Sequence, residues 1–222
     1  MMLVVNTAGT CRPSVRVLIS GFDAFGGESL NPTAALVQAL KQGEVMIPAE
    51  MTVEAVVLPV GFETAFEALE QTLRVFKPQI VLAFGQAGGR SRIEFERLAV
   101  NVKDAEIPDN DGLQPRDQMI VEGGPVAYLS TLPIRTLVEA LTAHEIPAGI
   151  SNSAGLYVCN YLFYRLQKHF SDQPQILSGF VHVPYLPEQA VMKTAPSLPF
   201  EKLKEALEVV LREITKIPFR DR

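Results

Sequence analysis

The stretch Gln79-Ile-Val-Leu-Ala-Phe84, followed by Gly85-Gln-Ala-Gly-Gly-Arg90, decides the fold of this 222-residue chain. Its first part is of strand length and almost wholly apolar, which is typical of a strand covered on both faces. Its second part is a glycine-rich loop. A strand of this kind belongs to a sheet of parallel strands with helices on either side.

Two further strand-and-helix pairs precede it. Residues 15–20 are an apolar run that leads into glycine-rich chain, and Asn31-Pro32 is typical of a helix start. Residues 53–58 are predicted to form the second strand, and the helix opened by residues 59–62 is predicted to stop at Lys77-Pro78. The order β-α-β-α-β predicts one α/β domain with a twisted, largely parallel sheet and helices on both faces.

The rest of the chain continues this pattern, with one interruption. Short strands are predicted at residues 93–96, 146–151 and 178–183, and helices at 131–145 and 200–215. Residues 101–128 show no periodicity, and an irregular segment of this length is often a flap or an oligomer contact. We predict an α/β domain over residues 15–222, preceded by a disordered N-terminal extension of residues 1–14.

Composition excludes several classes of protein. The formal net charge is −5, and no dense run of Lys or Arg suggests nucleic-acid binding. No stretch of about eighteen uncharged apolar residues is present to span a bilayer. The two cysteines, Cys11 and Cys159, provide no disulfide framework. A cytoplasmic location is predicted, and Cys11, ahead of the first strand, is taken as incidental.

Cys159 lies in Ser151-Asn-Ser-Ala-Gly-Leu-Tyr-Val-Cys-Asn-Tyr-Leu-Phe-Tyr164, at the start of an apolar helical pattern. A helix N-terminus and a neighbouring imidazole lower the pKa of a thiol, which makes Cys159 a candidate nucleophile. A buried structural cysteine is the plain alternative. Of the three histidines, His144 is placed to cap a helix, and His169 lies about 15 Å along the same helix as Cys159. His182, near the end of a strand, is the candidate base.

Four ordered blocks of sequence resemble the pyroglutamyl peptidase I family, the pyrrolidone-carboxylate peptidases. The cysteine stretch and Gly179-Phe-Val-His-Val-Pro-Tyr-Leu-Pro-Glu-Gln189 are similar to its cysteine and histidine segments. Ser20-Gly-Phe-Asp-Ala-Phe-Gly-Gly-Glu-Ser-Leu-Asn-Pro32 resembles its N-terminal signature, and residues 85–101 resemble its glutamate signature.

The resemblance implies a cysteine exopeptidase that removes N-terminal pyroglutamate from peptides through a thioester. It selects Glu96, rather than the neighbouring Glu94, to orient His182 and complete a Glu96-Cys159-His182 triad. It also implies a homo-oligomer, a dimer or a tetramer.

The candidate substrate-binding residues are Phe22, Phe25, Asn31 and Gln86. The two aromatic rings would wall an apolar recess for an uncharged ring, and Gln86 would add a side-chain amide. The backbone N–H groups of Arg90 and Cys159 are the candidate oxyanion donors.

No metal or cofactor is predicted. The glycine loops lack the spacing of a dinucleotide fingerprint and the Gly-Lys-Ser/Thr ending of a phosphate loop. The acidic run at residues 104–112 lacks the spacing of a calcium loop. Two other functions stay open: a different cysteine amidase or amidohydrolase on a similar scaffold, and a non-catalytic protein that binds a small ring compound.

Overall fold

The computed structural model describes residues 3–5, 11–191 and 193–216. Ten strands and six helices occur in these ranges. The strands are β1 (Leu3–Val5), β2 (Cys11–Pro13), β3 (Val15–Phe22), β4 (Met51–Leu58), β5 (Ile80–Gln86), β6 (Ile93–Glu96), β7 (Leu98–Val100), β8 (Ala127–Leu129), β9 (Ala148–Ser151) and β10 (Leu177–Val183). The helices are α1 (Pro32–Lys41), α2 (Thr64–Phe76), α3 (Ile134–Ala143), α4 (Val158–His169), α5 (Pro187–Ala190) and α6 (Phe200–Thr215).

A six-stranded sheet in the order β4-β3-β5-β10-β6-β9 forms the centre of the fold. Every neighbouring pair is parallel except β10 and β6, which are antiparallel. The prediction of a largely parallel sheet is therefore confirmed, with β6 and β9 running against the other four strands. The chain passes from β3 outward to β4 and then returns to form β5 on the other side of β3. The strand order therefore reverses between β3 and β5. In open α/β sheets, ligands usually bind at the carboxyl ends of the two strands on either side of such a reversal.

Helices cover both faces of the sheet, as predicted. One core cluster joins the sheet to α1, α3 and α6, and the other joins it to α2 and α4. Both clusters include side chains with no exposed surface, such as Ile19 and Leu211 in the first and Leu18 and Phe163 in the second. Each such side chain stabilises the fold by roughly 1.5–3 kcal/mol. The two layers of helices thus hold the ends of the strands in fixed positions.

Local sequence signals account for the helix ends. The Oδ1 atom of Asn31 accepts a hydrogen bond from the Thr33 N–H and caps α1, and Pro32 occupies the first helical position. The helix α2 ends where Lys77 adopts a left-handed conformation before Pro78. The amphipathic helix α6 spans the predicted residues 200–215. These predictions are confirmed to within a few residues.

Two segments lie outside the main sheet. In the predicted N-terminal extension, β1 and β2 pair with each other in antiparallel register. The disorder predicted for residues 1–14 stays a prediction for residues 1, 2 and 6–10, which are outside the described ranges. Residues 101–128 are largely irregular, as expected, apart from the end of the antiparallel pair β7 and β8 and a bridge between Lys103 and Gln118.

Candidate active site

Two of the candidate catalytic groups, Glu96 on β6 and His182 on β10, lie on one face of the sheet, and β5 lies on the other side of β10. His182 on β10 is the register partner of Gly85 on β5 and of Glu94 on β6. Side chains alternate along a strand, so Glu96, two residues beyond Glu94, faces the same side as His182. This is the face that α4 covers. Ile93 and Phe95, which alternate with the two glutamates, pack in the core cluster on the opposite face, so β6 is covered on both faces.

Cys159 approaches this row from α4. It is the second residue of the helix, so its backbone N–H is one of the first four, which have no partner within a helix. A Cβ atom placed on Gly85 would lie only 2.9 Å from the Cys159 sulfur. The sulfur therefore rests against the main chain of β5. His182 lies on the adjacent strand, directly beside Gly85, and neighbouring strands lie about 4.8 Å apart. Glycine at position 85 is what leaves room for the thiol.

His182 and Glu96 form a buried pair. The Nδ1 atom of His182 lies 2.7 Å from Oε1 of Glu96. The carboxylate has no exposed surface and His182 is 3% exposed. Because Nδ1 is engaged by the carboxylate, Nε2 is the ring nitrogen left to act on a proton. Oε2 of Glu96 is buried and has no hydrogen-bond partner among the described residues.

Arg90 holds the two glutamates together. Its guanidinium contacts Oε2 of Glu94 and donates to Oε1 of Glu96 at 2.8 Å. A second nitrogen of the same group donates to the Ser153 carbonyl at 3.1 Å, just ahead of α4. Arg92 contacts the other oxygen of Glu94 at 3.0 Å. The loop after β5 thus supplies the positive charge that makes a buried carboxylate at position 96 tolerable.

The pKa values describe a neutral pair of thiol and imidazole. Burial, followed by repulsion from the Glu96 carboxylate, raises the pKa of the Cys159 thiol to about 12, while Arg90 and the backbone N–H of Cys159 act in the opposite direction. Burial lowers the pKa of His182, although its hydrogen bond to Glu96 opposes this. The raised pKa of Cys159 differs from the lowering expected from the sequence. In the resting site, the effect of burial on the thiol pKa is larger than the opposite effect of the helix N-terminus.

The other two histidines lie away from this row. The Nδ1 atom of His144 is 2.9 Å from the Ala140 carbonyl at the end of α3, the capping position predicted for it. His169 is the last residue of α4, and its ring packs against Phe66 and Phe170. Of the three histidines, His182 is the one on the strand next to the main chain that Cys159 contacts.

All four predicted substrate-binding residues line one recess beside Cys159. The recess opens to solvent at the carboxyl ends of β3, β4 and β5. None of its lining residues is charged. The lining consists of Phe22, Phe25, Asn31, Val60, Gln86, Tyr157, Val158 and Cys159.

The two amide side chains of the recess, Asn31 and Gln86, are held by internal hydrogen bonds. Oδ1 of Asn31 accepts from the backbone and side chain of Thr33, and its Nδ2 donates to the Asp23 carbonyl at 2.9 Å. Asn31 therefore shapes the loop as a helix cap. Oε1 of Gln86 accepts from Gln189 at 2.8 Å.

The two candidate oxyanion donors differ. The Arg90 N–H already donates to the Ala87 carbonyl, at 3.4 Å. The Cys159 N–H has no acceptor in the described part of the chain other than its own sulfur, whose pKa it helps to lower. Of the two groups, the Cys159 N–H is the one available to a substrate oxygen.

Sequence reasoning missed the other recess residues. Tyr157 is the N-cap residue of α4, and its ring packs edge-on against Phe62 at a centroid distance of 5.4 Å. Its hydroxyl donates to the Pro108 carbonyl at 3.0 Å. The position two residues before Cys159 was the only available signal for Tyr157. No comparable signal marked Val60, which lies far from the cysteine in sequence.

The segment 101–128 forms one rim of the recess. Asn110 donates to the Ala24 carbonyl at 2.9 Å, and the buried carboxylate of Asp109 accepts from the Phe62 N–H at 2.8 Å. Asp109 also accepts from the backbone of Asp111 and Leu113, so its oxygens organise this loop. Across residues 3–5, 11–191 and 193–216, no group of three or more His, Cys, Asp or Glu side chains is arranged to hold a metal ion.

Comparisons with known proteins agree with one another. The family model described as Pyroglutamyl peptidase matches residues 15–216. The pyrrolidone-carboxylate peptidase of Pyrococcus furiosus is 45% identical, over 90% of this chain and 100% of that protein. The pyrrolidone-carboxylate peptidase of Bacillus subtilis is 43% identical, over 87% of this chain and 89% of that protein. The crystal structure of pyroglutamyl peptidase I from Bacillus amyloliquefaciens has a TM-score of 0.87 and 38% identity, covering 92% of this chain and 96% of that one.

Proposed function

This chain belongs to the pyroglutamyl peptidase family of cysteine exopeptidases, and on that premise we propose that Cys159, His182 and Glu96 are the groups that remove N-terminal pyroglutamate from its peptide substrates. One observation carries the proposal. The Cys159 sulfur rests over Gly85, next to a buried His182 whose other ring nitrogen is engaged by Glu96. These groups follow one another across three adjacent strands, at the edge of an uncharged recess.

In the first half of the proposed reaction, Nε2 of His182 takes the thiol proton as the Cys159 sulfur attacks the carbonyl carbon of the pyroglutamyl residue. Glu96 stabilises the imidazolium that forms. The carbonyl oxygen becomes an oxyanion, for which the Cys159 N–H is the main candidate donor. The C–N bond then breaks, and His182 returns the proton to the leaving amine.

In the second half, His182 removes a proton from water, which attacks the thioester. The C–S bond breaks, pyroglutamate leaves, and the proton returns to the thiol. A thiol that is protonated at rest suits this sequence, because the proton that His182 donates to the amine is the one it took from Cys159. No metal or cofactor enters either half.

The recess supports the choice of substrate. A pyroglutamyl ring carries no charge, whereas an ordinary peptide N-terminus carries an ammonium group. Burying that ammonium beside Phe22, Phe25 and Val60 would cost several kcal/mol, because no carboxylate lines the recess to pair with it. A cyclised N-terminus avoids this cost and still offers a ring carbonyl and a ring N–H for hydrogen bonds.

The test is release of an aminocoumarin reporter from its pyroglutamyl amide. Wild-type protein should release the reporter, and Cys159→Ser and iodoacetamide-treated protein should not. Prolyl and simple amide reporters serve as controls. A folded wild type that is alkylated rapidly at Cys159 but turns over only the simple amides would instead indicate another cysteine amidase.

We also propose that the protein works in the cytoplasm as a homo-oligomer, a dimer or a tetramer. The two cysteines of the sequence provide no disulfide framework, which is typical of proteins of a reducing compartment. None of the helices in the described ranges is both long enough and apolar enough to cross a bilayer.

Val126 and Leu129, at the pair of strands β7 and β8, are 85% and 66% exposed, as expected of an interface between copies. Sedimentation of wild type against a Val126→Ser/Leu129→Ser variant tests the assembly.

A further inference from the structure

Gln189 connects the recess to three other parts of the chain. It lies on the short helix α5 and is 5% exposed. Its Oε1 atom accepts from the Leu186 backbone N–H at 3.0 Å. Its Nε2 atom lies 2.8 Å from Oε1 of Gln86, 3.3 Å from the Leu30 carbonyl and 3.4 Å from Oε2 of Glu28.

These neighbours determine which end of the Gln189 amide is nitrogen. The oxygen and nitrogen of an amide are assigned from their hydrogen-bond partners. A backbone N–H such as that of Leu186 only donates, so it must face oxygen. The Leu30 carbonyl and the Glu28 carboxylate only accept, so they must face nitrogen. Glu28 is ionised, because its ion pair with Lys193 at 2.6 Å lowers the pKa of the carboxyl group.

The orientation of Gln189 in turn fixes the orientation of Gln86. Because Nε2 of Gln189 donates, the atom of Gln86 that faces it must be oxygen. The NH₂ group of Gln86 is therefore directed away from Gln189. Gln86 lines the recess, and no acceptor for this NH₂ group occurs among the residues that the structure describes.

We propose that Gln189 is a positioning residue that turns the amide of Gln86 so that the recess offers an N–H donor, and thereby selects substrates whose ring carries a carbonyl. The inference rests on the proposed function, in which the recess holds the pyroglutamyl ring. A five-membered ring without a carbonyl, such as proline, would cover this donor without pairing it, and a site built around a hydrogen bond discriminates strongly against such a ligand. The backbone N–H of Leu186 sets this arrangement, because it fixes which end of the Gln189 amide is oxygen and thereby which end of the Gln86 amide is nitrogen.

The decisive variant is Gln189→Glu. A carboxylate still accepts from the Leu186 N–H, but its second oxygen cannot donate to Gln86. The amide of Gln86 then turns to donate to the new carboxylate and directs its oxygen into the recess, where it repels the ring carbonyl. We expect KM for the pyroglutamyl reporter to rise about tenfold or more, with a smaller change in kcat. The inhibition constant of 2-pyrrolidone, the ring of the substrate, should rise by the same factor.

A double-mutant cycle separates positioning from a structural role. If Gln189 acts through Gln86, then Gln189→Glu should have no further effect on KM in a Gln86→Ala background. Glu188→Gln is the matched control, because Glu188 is an exposed neighbour on the same helix. Gln189→Met removes the donor without adding charge, and so covers the case in which a buried carboxylate prevents folding.

Each result has a distinct meaning. A KM effect that disappears in the Gln86→Ala background supports the inference. Additive effects, or an unchanged KM in both Gln189→Glu and Gln189→Met, overturn it and leave the proposed function intact. A folded wild type that neither releases the pyroglutamyl reporter nor binds 2-pyrrolidone overturns the proposed function itself.

Discussion

The Nδ1 atom of His182 lies 2.7 Å from Oε1 of Glu96, although 86 residues separate the two along the chain. This contact sets the tautomer of the imidazole, because an ionised carboxylate can only accept. It therefore leaves Nε2 unprotonated and ready to receive the thiol proton.

Replacing Glu96 with Gln should cost nearly all activity. The Gln side chain can donate to Nδ1 and so stabilise the wrong tautomer, and the loss of the carboxylate removes support for the imidazolium. A corresponding change in a serine-protease triad lowers kcat by about 10⁴, and we expect a loss of similar order here. Steady-state kinetics with the pyroglutamyl reporter measures it.

Glu94→Gln is the control for this prediction. Glu94 lies on the same face of β6 and contacts Arg90 and Arg92, but it makes no hydrogen bond to the imidazole. The Glu94→Gln variant should keep most of the wild-type activity. A Glu96→Gln variant within tenfold of wild-type kcat would remove Glu96 from the mechanism.

The second prediction concerns how alkylation of Cys159 depends on pH. The thiol pKa is raised to about 12, so the thiolate fraction should grow about tenfold per pH unit from pH 7 to 10. The rate of modification by iodoacetamide, in the absence of substrate, should follow that growth. A rate that levels off below pH 8 would mean instead that a thiolate-imidazolium pair already exists in the resting enzyme.

The acid limb of activity gives the third prediction. The pKa of His182 is lowered from its ordinary 6.5, and His182 must be neutral to act as a base. The acid-side midpoint of activity should therefore lie below pH 6.5, and activity should fall as the pH drops through the lowered pKa. The profile of kcat/KM against pH reports this pKa for the free enzyme. A midpoint above 6.5 would contradict the assignment.

Gly85→Ala should disable the site through a single methyl group. That carbon would meet the Cys159 sulfur at 2.9 Å and Cζ of Phe180 at 2.7 Å. A displacement of the nucleophile by about 1 Å can cost about 100-fold in rate, and overpacking costs about 1–3 kcal/mol of stability. Activity per folded molecule and thermal unfolding are measured together.

Gly43→Ala is the matched comparison. Gly43 has a φ of 75° and nothing within 4 Å of the added carbon, so its substitution strains the backbone without crowding any neighbour. We expect it to lower stability by about 1 kcal/mol and to leave kcat unchanged. Equal catalytic losses in the two variants would show that crowding of Cys159 is not the cause.

Tyr157→Phe tests the connection between α4 and the rim of the recess. Burial raises the pKa of Tyr157 to about 12, so its hydroxyl stays protonated and donates to Pro108 over the working pH range. Loss of that hydrogen bond should cost about 1 kcal/mol. We expect to observe this loss as faster hydrogen exchange at residues 105–113 and as a KM raised about fivefold. Tyr161→Phe, on the same helix, removes a contact with Arg165 instead and should change neither quantity.

Much of the scaffold could be predicted from local patterns. The bounds of α6 follow from its amphipathic period, and α2 stops at Lys77 because proline follows. Cys159 and His182 could be singled out because the chain has few cysteines and histidines. Their positions on a helix start and a strand end then predicted that they lie at one edge of the sheet.

The remaining features depend on tertiary contacts that no local pattern contains. The burial of Glu96 results from the antiparallel pairing of β6 with β10 and from the reach of Arg90 across the strand. The raised thiol pKa results from the depth at which Cys159 rests on Gly85. Tyr157 and Gln189 contribute through hydrogen bonds to distant segments, and no local pattern in the sequence contains those bonds.

The position of β10 in the sheet has a consequence for folding. It is the last of the six strands along the chain, yet it lies between β5 and β6, which are made about ninety residues earlier. Until it inserts, both of these strands expose an unpaired edge, which is prone to aggregate. A ribosome must therefore synthesise the chain as far as Val183 before the sheet can close, and a nascent chain that ends before His182 lacks one of the two catalytic neighbours of the thiol.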